Sequence, residues 1–347
     1  MNFAIIGATG NVGRKTIEVL EKSKIEIDNL FLVASEKSAG QKLVFKKKEI
    51  IVEQLEKYDF SKAEITIFAA GSEIAKNWAP KASKKTIVID NSKYFRMDKD
   101  VPLVVPEVNL HALESIPKGI IANPNCTTMV AMPVLKPLDT EAELDRIIFS
   151  SYQATSGAGL AGVDELERQI EHAGTESKKL THDGNAVSFP TGESFAETIA
   201  YNVVPFCGSL VDDGSNETNE EQKLRDESRK ILELPDLNVS ATCVRVPVFV
   251  GHSEAINIEF EDHLDEDEAR EILREAPGIM VIDKREDGGY VTPIECVGDF
   301  ATFISRIRQD STIDNGINLW CVSDNLRKGA ALNAIQIAEM LLEKDLV

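Results

Sequence analysis

The 347-residue chain lacks any apolar run approaching the ~20 residues of a membrane span. Its five cysteines, Cys126, Cys207, Cys243, Cys296 and Cys321, are odd in number and scattered, with no CxxC pair. That excludes a disulfide framework and a thiolate zinc site, and no metal is expected. Positive charge is scarce: 38 Lys and Arg stand against 58 Asp and Glu, a net charge of −20. Such a chain repels phosphate backbones, so nucleic acid is not an expected partner, and an anionic ligand needs a local cluster of cations. No internal repeat or low-complexity linker is present. The start, MNFAIIGATG, carries no basic region and enters a strand at once, so neither a signal peptide nor a membrane partner is expected and the setting reads as cytoplasmic. With 43% hydrophobic and 28% charged residues, the chain has the material for two domains with cores of their own.

What the chain does have is alternation of strands and helices. Phe3 to Ile6 reads as a strand, Gly7-Ala8-Thr9-Gly10-Asn11-Val12-Gly13 as a turn, and the next stretch to about Lys22 as an amphipathic helix. Leu30 to Ala34 is the second strand. Glycines at the first β-to-α turn let backbone N–H groups approach a pyrophosphate at a helix N-terminus, which points to a dinucleotide. An acidic residue ~20 positions later holds the ribose 2′-OH of NAD, and Glu36 is placed for that. Ser35, Lys37 and Ser38 suit the 2′-phosphate of NADP instead, so the residues leave the choice open. A hairpin is expected over Leu43 to Leu55, with further strands at Ile65 to Ala70, Thr86 to Asp90 and Gly119 to Ala122. This pattern predicts a doubly wound parallel sheet with ligands at its C-terminal strand ends. After Leu138 the pattern changes. A strand over Arg146 to Gln153, a small-residue loop at 154–159, a helix over Val163 to His172, and antiparallel strands over Asn238 to Val250 and Ala255 to Phe260 predict an α+β domain. An exposed acidic segment, Asp212 to Asp226, leads into a helix over Glu220 to Leu232, and Ala330 to Leu342 reads as a C-terminal helix.

Cys126 sits between the apolar run Gly119 to Ala122 and a helix expected over Thr127 to Leu138. A thiol there meets unpaired helix N–H groups, an environment that lowers its pKa and favours the nucleophilic thiolate. The alternative is a small buried apolar side chain. Of the five histidines, only His252 lies on an apolar, Gly-flanked strand; His111, His172, His182 and His263 read as solvated. Arg245 is expensive to bury without an anion, and a carboxylate clamp is the natural reading. Arg96 is a second candidate anion site. Lys223 with Glu220 is a third, or a plain helix salt bridge. A Cys nucleophile, a distant His and a dinucleotide domain together suggest aldehyde oxidation through a thioester. Cys126 adds to the aldehyde carbon, His252 accepts the thiohemiacetal proton as hydride leaves, and an incoming nucleophile cleaves the acyl-thioester.

With these stretches assembled, the chain resembles the aspartate-β-semialdehyde dehydrogenase family over essentially its whole length. The resemblance rests on GATGNVG at 7–13, ASEKSAGQKL at 34–43, DNSKYFRM at 90–97, PLVVPEVN at 102–109, NPNCTT at 123–128, YQATSGAG at 152–159, RVPVFVGHSE at 245–254 and SDNLRKGAALNA at 323–334. It implies an α/β fold. A doubly wound (Rossmann) dinucleotide-binding domain spans 1–127 and is completed by a C-terminal helix at 326–347. An α+β catalytic and dimerisation domain spans 128–325. It also implies a homodimer and an NADP-dependent, reversible reductive dephosphorylation of 4-aspartyl phosphate to the semialdehyde and inorganic phosphate. The pathway implied is lysine (or diaminopimelate), threonine and methionine biosynthesis.

By the same resemblance Cys126 is the acyl-thioester nucleophile, His252 the general acid/base and Gln153 the residue orienting the substrate. Arg245 and Glu220 clamp the substrate's α-carboxylate and α-ammonium. Arg96 and Lys223 form the phosphate site. Gly7, Thr9, Gly10, Asn11, Val12, Ser35, Ser38, Ser156, Gly157 and Asn325 touch the cofactor. Asn125 and Thr127 are candidates for holding the thiolate and the developing oxyanion. Two departures stand out: Glu36 where many relatives carry a basic or neutral residue, which leaves NAD use open, and Lys93 in place of a small residue. An N-acetyl-γ-glutamyl-phosphate reductase shares the thioester logic, but would lack the 323–334 stretch and needs no ammonium partner such as Glu220. A cofactor-binding homologue without catalysis needs neither Cys126 nor His252.

Overall fold

The computed structural model describes residues 1–347. The apolar run at the start of the chain forms β1 (Asn2–Ile6), which lies inside a parallel sheet. Strands of such a sheet are covered on both faces, which is why they read as continuous apolar runs rather than alternating ones. β2 (Asn29–Ala34) follows. A hairpin of β3 (Lys42–Phe45) and β4 (Lys48–Ile51) then turns through Lys46 and Lys47. β5 (Glu53–Gln54), β6 (Ile65–Phe68), β7 (Ile87–Asp90) and β8 (Ile120–Ala122) complete the sheet in the order β5-β2-β1-β6-β7-β8, all parallel. β2 lies to one side of β1 and β6 to the other, so the winding reverses there. That reversal opens a crevice at the C-terminal strand ends. Gly7 follows β1, Asn91 follows β7, and the cysteine loop follows β8.

The second sheet contains β9 (Leu144–Gln153), β10 (Asn238–Arg245), β11 (His252–Phe260), β12 (Ile279–Val281), β13 (Thr302–Gln309) and β14 (Gly316–Ser323). Its order is β10-β9-β11-β14-β13-β12. The expectation of antiparallel strands fails for β10, which runs parallel to β9; β11 is antiparallel to β9 and to β14. The strand expected over Asn238 to Val250 stops at Arg245. Pro247 has no N–H to continue a ladder, and Gly251, at φ +99°, turns the chain back into β11. Arg245 therefore closes one strand and His252 opens the next.

The helix Cys126–Ala142 runs between the two sheets and is longer than expected at both ends. Pro133 and Pro137 both lie in its interior, where each removes a helical hydrogen bond. Nearly every side chain from Thr127 to Leu135 is buried, and that packing holds the helix where propensity does not. One apolar cluster of 46 buried residues passes from the first sheet through this helix to the second, so the two halves share a core. A second cluster lies on the other face of the first sheet. It includes Ile335, Ile337 and Leu341 from the C-terminal helix. That helix, expected over Ala330 to Leu342, opens instead with a π-helical turn, Arg327–Leu332, before the α-helix Asn333–Glu343. The outer face of the second sheet leaves Ile148, Tyr152, Asn257 and Trp320 half-buried. No helix is long and apolar enough to cross a membrane.

Candidate active site

The glycine turn is built for close approach of backbone to ligand. Gly7 has φ +83°, and a Cβ there would stand 2.6 Å from the Ala69 carbonyl oxygen. A Cβ on Gly13 would come within 2.2 Å of the Gly7 carbonyl, so the helix Asn11–Lys22 can seat on the turn only without a side chain there. Gly10 is the N-cap, and no side chain caps the first amides. Gly10 N–H closes the turn onto the Gly7 carbonyl at 3.0 Å, and Thr9, Asn11 and Val12 present free backbone donors at a positive helix end, which fits a dinucleotide pyrophosphate. Gly7 N–H donates to the Val33 carbonyl at 2.8 Å, tying the turn to β2. Ser35 caps a 3₁₀ turn, Glu36–Ser38, just past that strand, with Ser35, Glu36 and Lys37 exposed.

Cys126 opens the helix that joins the sheets. Asn125 is its N-cap: the side-chain oxygen accepts from Thr127 N–H at 3.0 Å and lies 4.0 Å from Cys126 Sγ. The thiol does not behave as the local sequence suggests. Burial, then the Glu220 carboxylate, push it up to about 12, against the pull of Arg245, Lys223 and Arg96. Desolvation outweighs the helix end, so the free protein carries a thiol rather than a thiolate. Gly329, on the π-helical turn, would place a Cβ 2.9 Å from Cys126 Cβ. The C-terminal segment thus closes directly over the cysteine, a contact that only a glycine permits.

Behind the Gly157 loop lies a row on the second sheet. Arg245 and Gln153 are register partners across β10 and β9. His252 begins β11 one residue before the Ser253–Tyr152 pair, and so lies beside Gln153. All three side chains are buried. Ala154 N–H donates to His252 Nδ1 at 3.0 Å. A backbone amide can only donate, so the neutral ring carries its proton on Nε2, which is buried without a partner. Burial and the neighbouring Arg245 hold the ring's pKa down to about 3, with Glu220 opposing. His252 thus holds a buried, unpartnered donor behind Gly157, where the sequence reading expects a proton acceptor. Arg245 Nη1 donates to the Ala154 carbonyl at 2.7 Å. A Cβ on Gly157 would come within 2.8 Å of Arg245 Nη1 and 3.1 Å of His252 Nε2, so this loop also depends on glycine.

The helix Asn219–Leu232 supplies the acidic partners. Glu220 accepts from Lys223 Nζ at 2.6 Å and from Asn125 Nδ2 at 3.0 Å. Despite burial, those contacts with Lys223 and Asn125, together with the charge of Arg245, lower its pKa to about 2. Lys223 is therefore ion-paired rather than open to a phosphate. Arg96 is committed on three sides, to the Asn123 and Asn91 carbonyls, both at 2.9 Å, and to Glu227 at 3.0 Å. Glu227 was not singled out from the sequence. It also accepts from Asn125 N–H at 2.6 Å and so locks the cysteine loop to this helix. Its spacing of seven from Glu220, one helical face apart by two turns, was the available signal. Asn325 Oδ1 accepts from Gly251 N–H at 2.9 Å, and its amide pairs with Ser156 Oγ at 3.0 Å.

A cleft of ≈190 Å³ is lined by Val12, Arg96, Asn125, Cys126, Ser156, Gly157 and Asn325 among others, and Arg245 and His252 pack behind Gly157 rather than on its wall. The volume suits a small acid rather than a whole dinucleotide. Ser35 and Ser38 lie outside it, at the end of β2. A larger cavity of ≈660 Å³ near Arg285 and Arg306 holds neither cysteine nor histidine. The four remaining histidines are exposed, as expected.

Comparisons with known proteins agree with this geometry. Residues 2–116 match the semialdehyde dehydrogenase NAD binding domain, and residues 135–328 the semialdehyde dehydrogenase dimerisation domain. An aspartate-semialdehyde dehydrogenase from Streptomyces akiyoshiensis is 50% identical over 342 residues, 98% of each chain. One from Aquifex aeolicus is 45% identical, covering 99% of this chain and 98% of its own. Among solved structures, aspartate semialdehyde dehydrogenase II from Vibrio cholerae complexed with ASA superposes with a TM-score of 0.92 at 39% identity, over 99% of this chain and 98% of that one. The enzyme from Candida albicans with NADP gives a TM-score of 0.74 at 26% identity, over 100% and 99%. On two matched semialdehyde dehydrogenase domains and relatives 45–50% identical over nearly the whole length, the chain belongs to the aspartate-semialdehyde dehydrogenase family of oxidoreductases.

Proposed function

We propose that this chain catalyses the NADP-dependent, reversible reductive dephosphorylation of 4-aspartyl phosphate to L-aspartate 4-semialdehyde and phosphate, a step of amino-acid biosynthesis. The observation that carries the reading is Cys126 at a helix start in a cleft whose Gly157 wall is backed by Arg245 and His252, which lie beside Gln153. The Cys126 thiol attacks the acyl carbon, the C–O bond to phosphate breaks with its electron pair going to phosphate, and the departing phosphate takes up the thiol proton. The thioester remains on Cys126. The dinucleotide, held by the Gly7–Gly13 turn and by Ser35, Ser38, Ser156, Gly157 and Asn325, supplies hydride when bound. Negative charge then develops on the thioester oxygen, and His252 Nε2–H donates a hydrogen bond to it. Collapse of that oxyanion releases the aldehyde and the Cys126 thiolate, with no proton required at oxygen, and the thiolate takes a proton from solvent to restore the resting thiol.

Arg245 retains guanidinium donors beyond Nη1 for the α-carboxylate. Glu220 exchanges Lys223 for the α-ammonium, which frees Lys223 to join Arg96 at the phosphate. Gln153 gives its Nε2 to Ser151, leaving its oxygen for the substrate. Residues 1–127 with 326–347 act as the cofactor half and 128–325 as the catalytic half. Two copies pair as a homodimer through the half-buried face bearing Ile148, Tyr152 and Trp320. The test is phosphate-dependent NADP reduction by the purified protein with aspartate semialdehyde. A folded sample that binds cofactor and shows none would overturn the reading.

A further inference from the structure

Beneath the catalytic row lies a second polar row with no assigned use. Cys243 pairs with Ser151, Ser151 with Glu254, and Glu254 with Cys321, on the same sheet face and one pleat further into the core. All four residues are fully buried. The row after that is apolar, with Phe149 opposite Ile256 and Ile256 opposite Leu319. Glu254 is the anomaly. Neither carboxyl oxygen has a hydrogen-bond partner, and no cation pairs with it. A carboxylate cannot be held in such a place, so the group is a neutral acid with one O–H donor and one carbonyl acceptor, and burial drives it there. An apolar side chain of similar volume would be less costly at this position.

Glu254 shares its strand face with His252, two residues away. Across the strand it faces Ser151, whose Oγ accepts from Gln153 Nε2 at 3.2 Å. Directly opposed residues on antiparallel strands have Cβ atoms ~4.5–5.5 Å apart, within reach of a glutamic acid side chain through one rotamer change or one bridging water. Catalytic hydrogen bonds are often open in the free enzyme and close in the complex. We infer that Glu254 is a positioning residue for the reaction proposed above: its O–H donates to Ser151 Oγ, which fixes Ser151 as the acceptor for the Gln153 amide and so aims the Gln153 oxygen at the substrate. No proton is transferred. The role is to hold the Gln153–His252 wall in one geometry, and it rests on the proposed reaction.

Glu254→Leu is expected to melt no lower than the parent chain, yet to lower kcat ~10- to 100-fold with KM for the semialdehyde unchanged, the signature of lost alignment rather than lost binding. Glu254→Gln, which keeps a neutral donor and acceptor, rescues kcat to within about threefold of the parent. Ser151→Ala gives a loss like that of Glu254→Leu, and the double variant loses no more than either single, because both act through one contact. Infrared difference spectra between the parent and Glu254→Gln at neutral pH show the carbonyl band of a protonated carboxylic acid, a readout independent of turnover. Glu254→Leu with undiminished kcat, additive losses, a Gln variant as impaired as Leu, or no acid band each overturn the inference. If Glu254→Leu does not fold, the Gln variant, Ser151→Ala and the spectrum still decide. A parent chain without turnover overturns the reaction and this role with it. A parent with turnover and an indifferent Glu254→Leu overturns the role alone.

Discussion

The glycine turn and the sheet row across the cleft from it build their surfaces from different parts of the chain. The turn uses backbone. Seven consecutive residues, Gly7 to Gly13, supply its shape, and the helix that follows supplies its polarity. The row uses side chains from three strands, and Gln153 lies beside Arg245 and His252 although it is 92 and 99 residues from them in sequence. A backbone site tolerates most neighbours but no added Cβ. A side-chain row tolerates drift in its loops but not a slip of register, since one residue would turn every side chain to the other face.

Cys126 stands between the two and gives the largest expected effect. Cys126→Ala should lower turnover by at least about 10³-fold while the glycine turn still binds cofactor, because a covalent nucleophile has no substitute. Steady-state NADP reduction and cofactor fluorescence measure the two separately; retained turnover would remove the thioester. The thiol also has a pH signature. Its pKa is raised to about 12, so the protonated form prevails throughout the neutral range. Alkylation of the free protein by iodoacetamide should climb steadily with pH and reach no plateau below the alkaline range. A plateau near neutrality would show a thiolate, and would break the account of burial overriding the helix end.

Arg245→Leu comes next and tests the row. Losing a charged hydrogen bond to the substrate carboxylate costs ~1.5–3 kcal/mol, or about 10- to 100-fold in KM, with kcat little changed. The same variant should leave KM for the cofactor where it was, since Arg245 belongs to the sheet side of the cleft. An unchanged semialdehyde KM would refute the clamp. Gly13→Ala is the matching test of the turn. A Cβ placed 2.2 Å from the Gly7 carbonyl forces helix and turn apart. Overpacking of this kind costs ~1–3 kcal/mol of stability. Thermal melting should show the loss, and KM should rise for the cofactor and not for the semialdehyde. Equal effects on both would mean that the two regions are not separable.

How far each region was legible follows from how it is built. The turn could be read because its residues are contiguous and each glycine has a local reason. The strand-to-helix position of Cys126 was legible for the same reason, but its pKa was not: burial by Gly329, 203 residues downstream, and the charge of Glu220 are tertiary facts. The residue types of the row were visible as polar groups in apolar runs, yet their adjacency was not. Nothing local says that β10 runs parallel to β9 or that Pro247 ends it at Arg245. Glu227 and Glu254 escaped because a carboxylate on a helix or strand reads as solvated until packing shows both sides covered.

The smallest expected effect concerns the edge of the turn. Glu36 lies on an exposed 3₁₀ turn after β2, with Lys37 beside it and Ser35 and Ser38 flanking. A carboxylate there accepts from a ribose 2′-OH and repels a 2′-phosphate, while Lys37 and the two serines do the reverse. Exposure weakens both effects, since charges in water interact by about 1 kcal/mol at contact and salt screens them further. Glu36→Ala should therefore raise kcat/KM for NADP relative to NAD by only about fivefold, and less at high salt. A change of a hundredfold would mean that Glu36 becomes buried against the ribose in the complex, and an unchanged ratio would mean that the carboxylate takes no part in the choice.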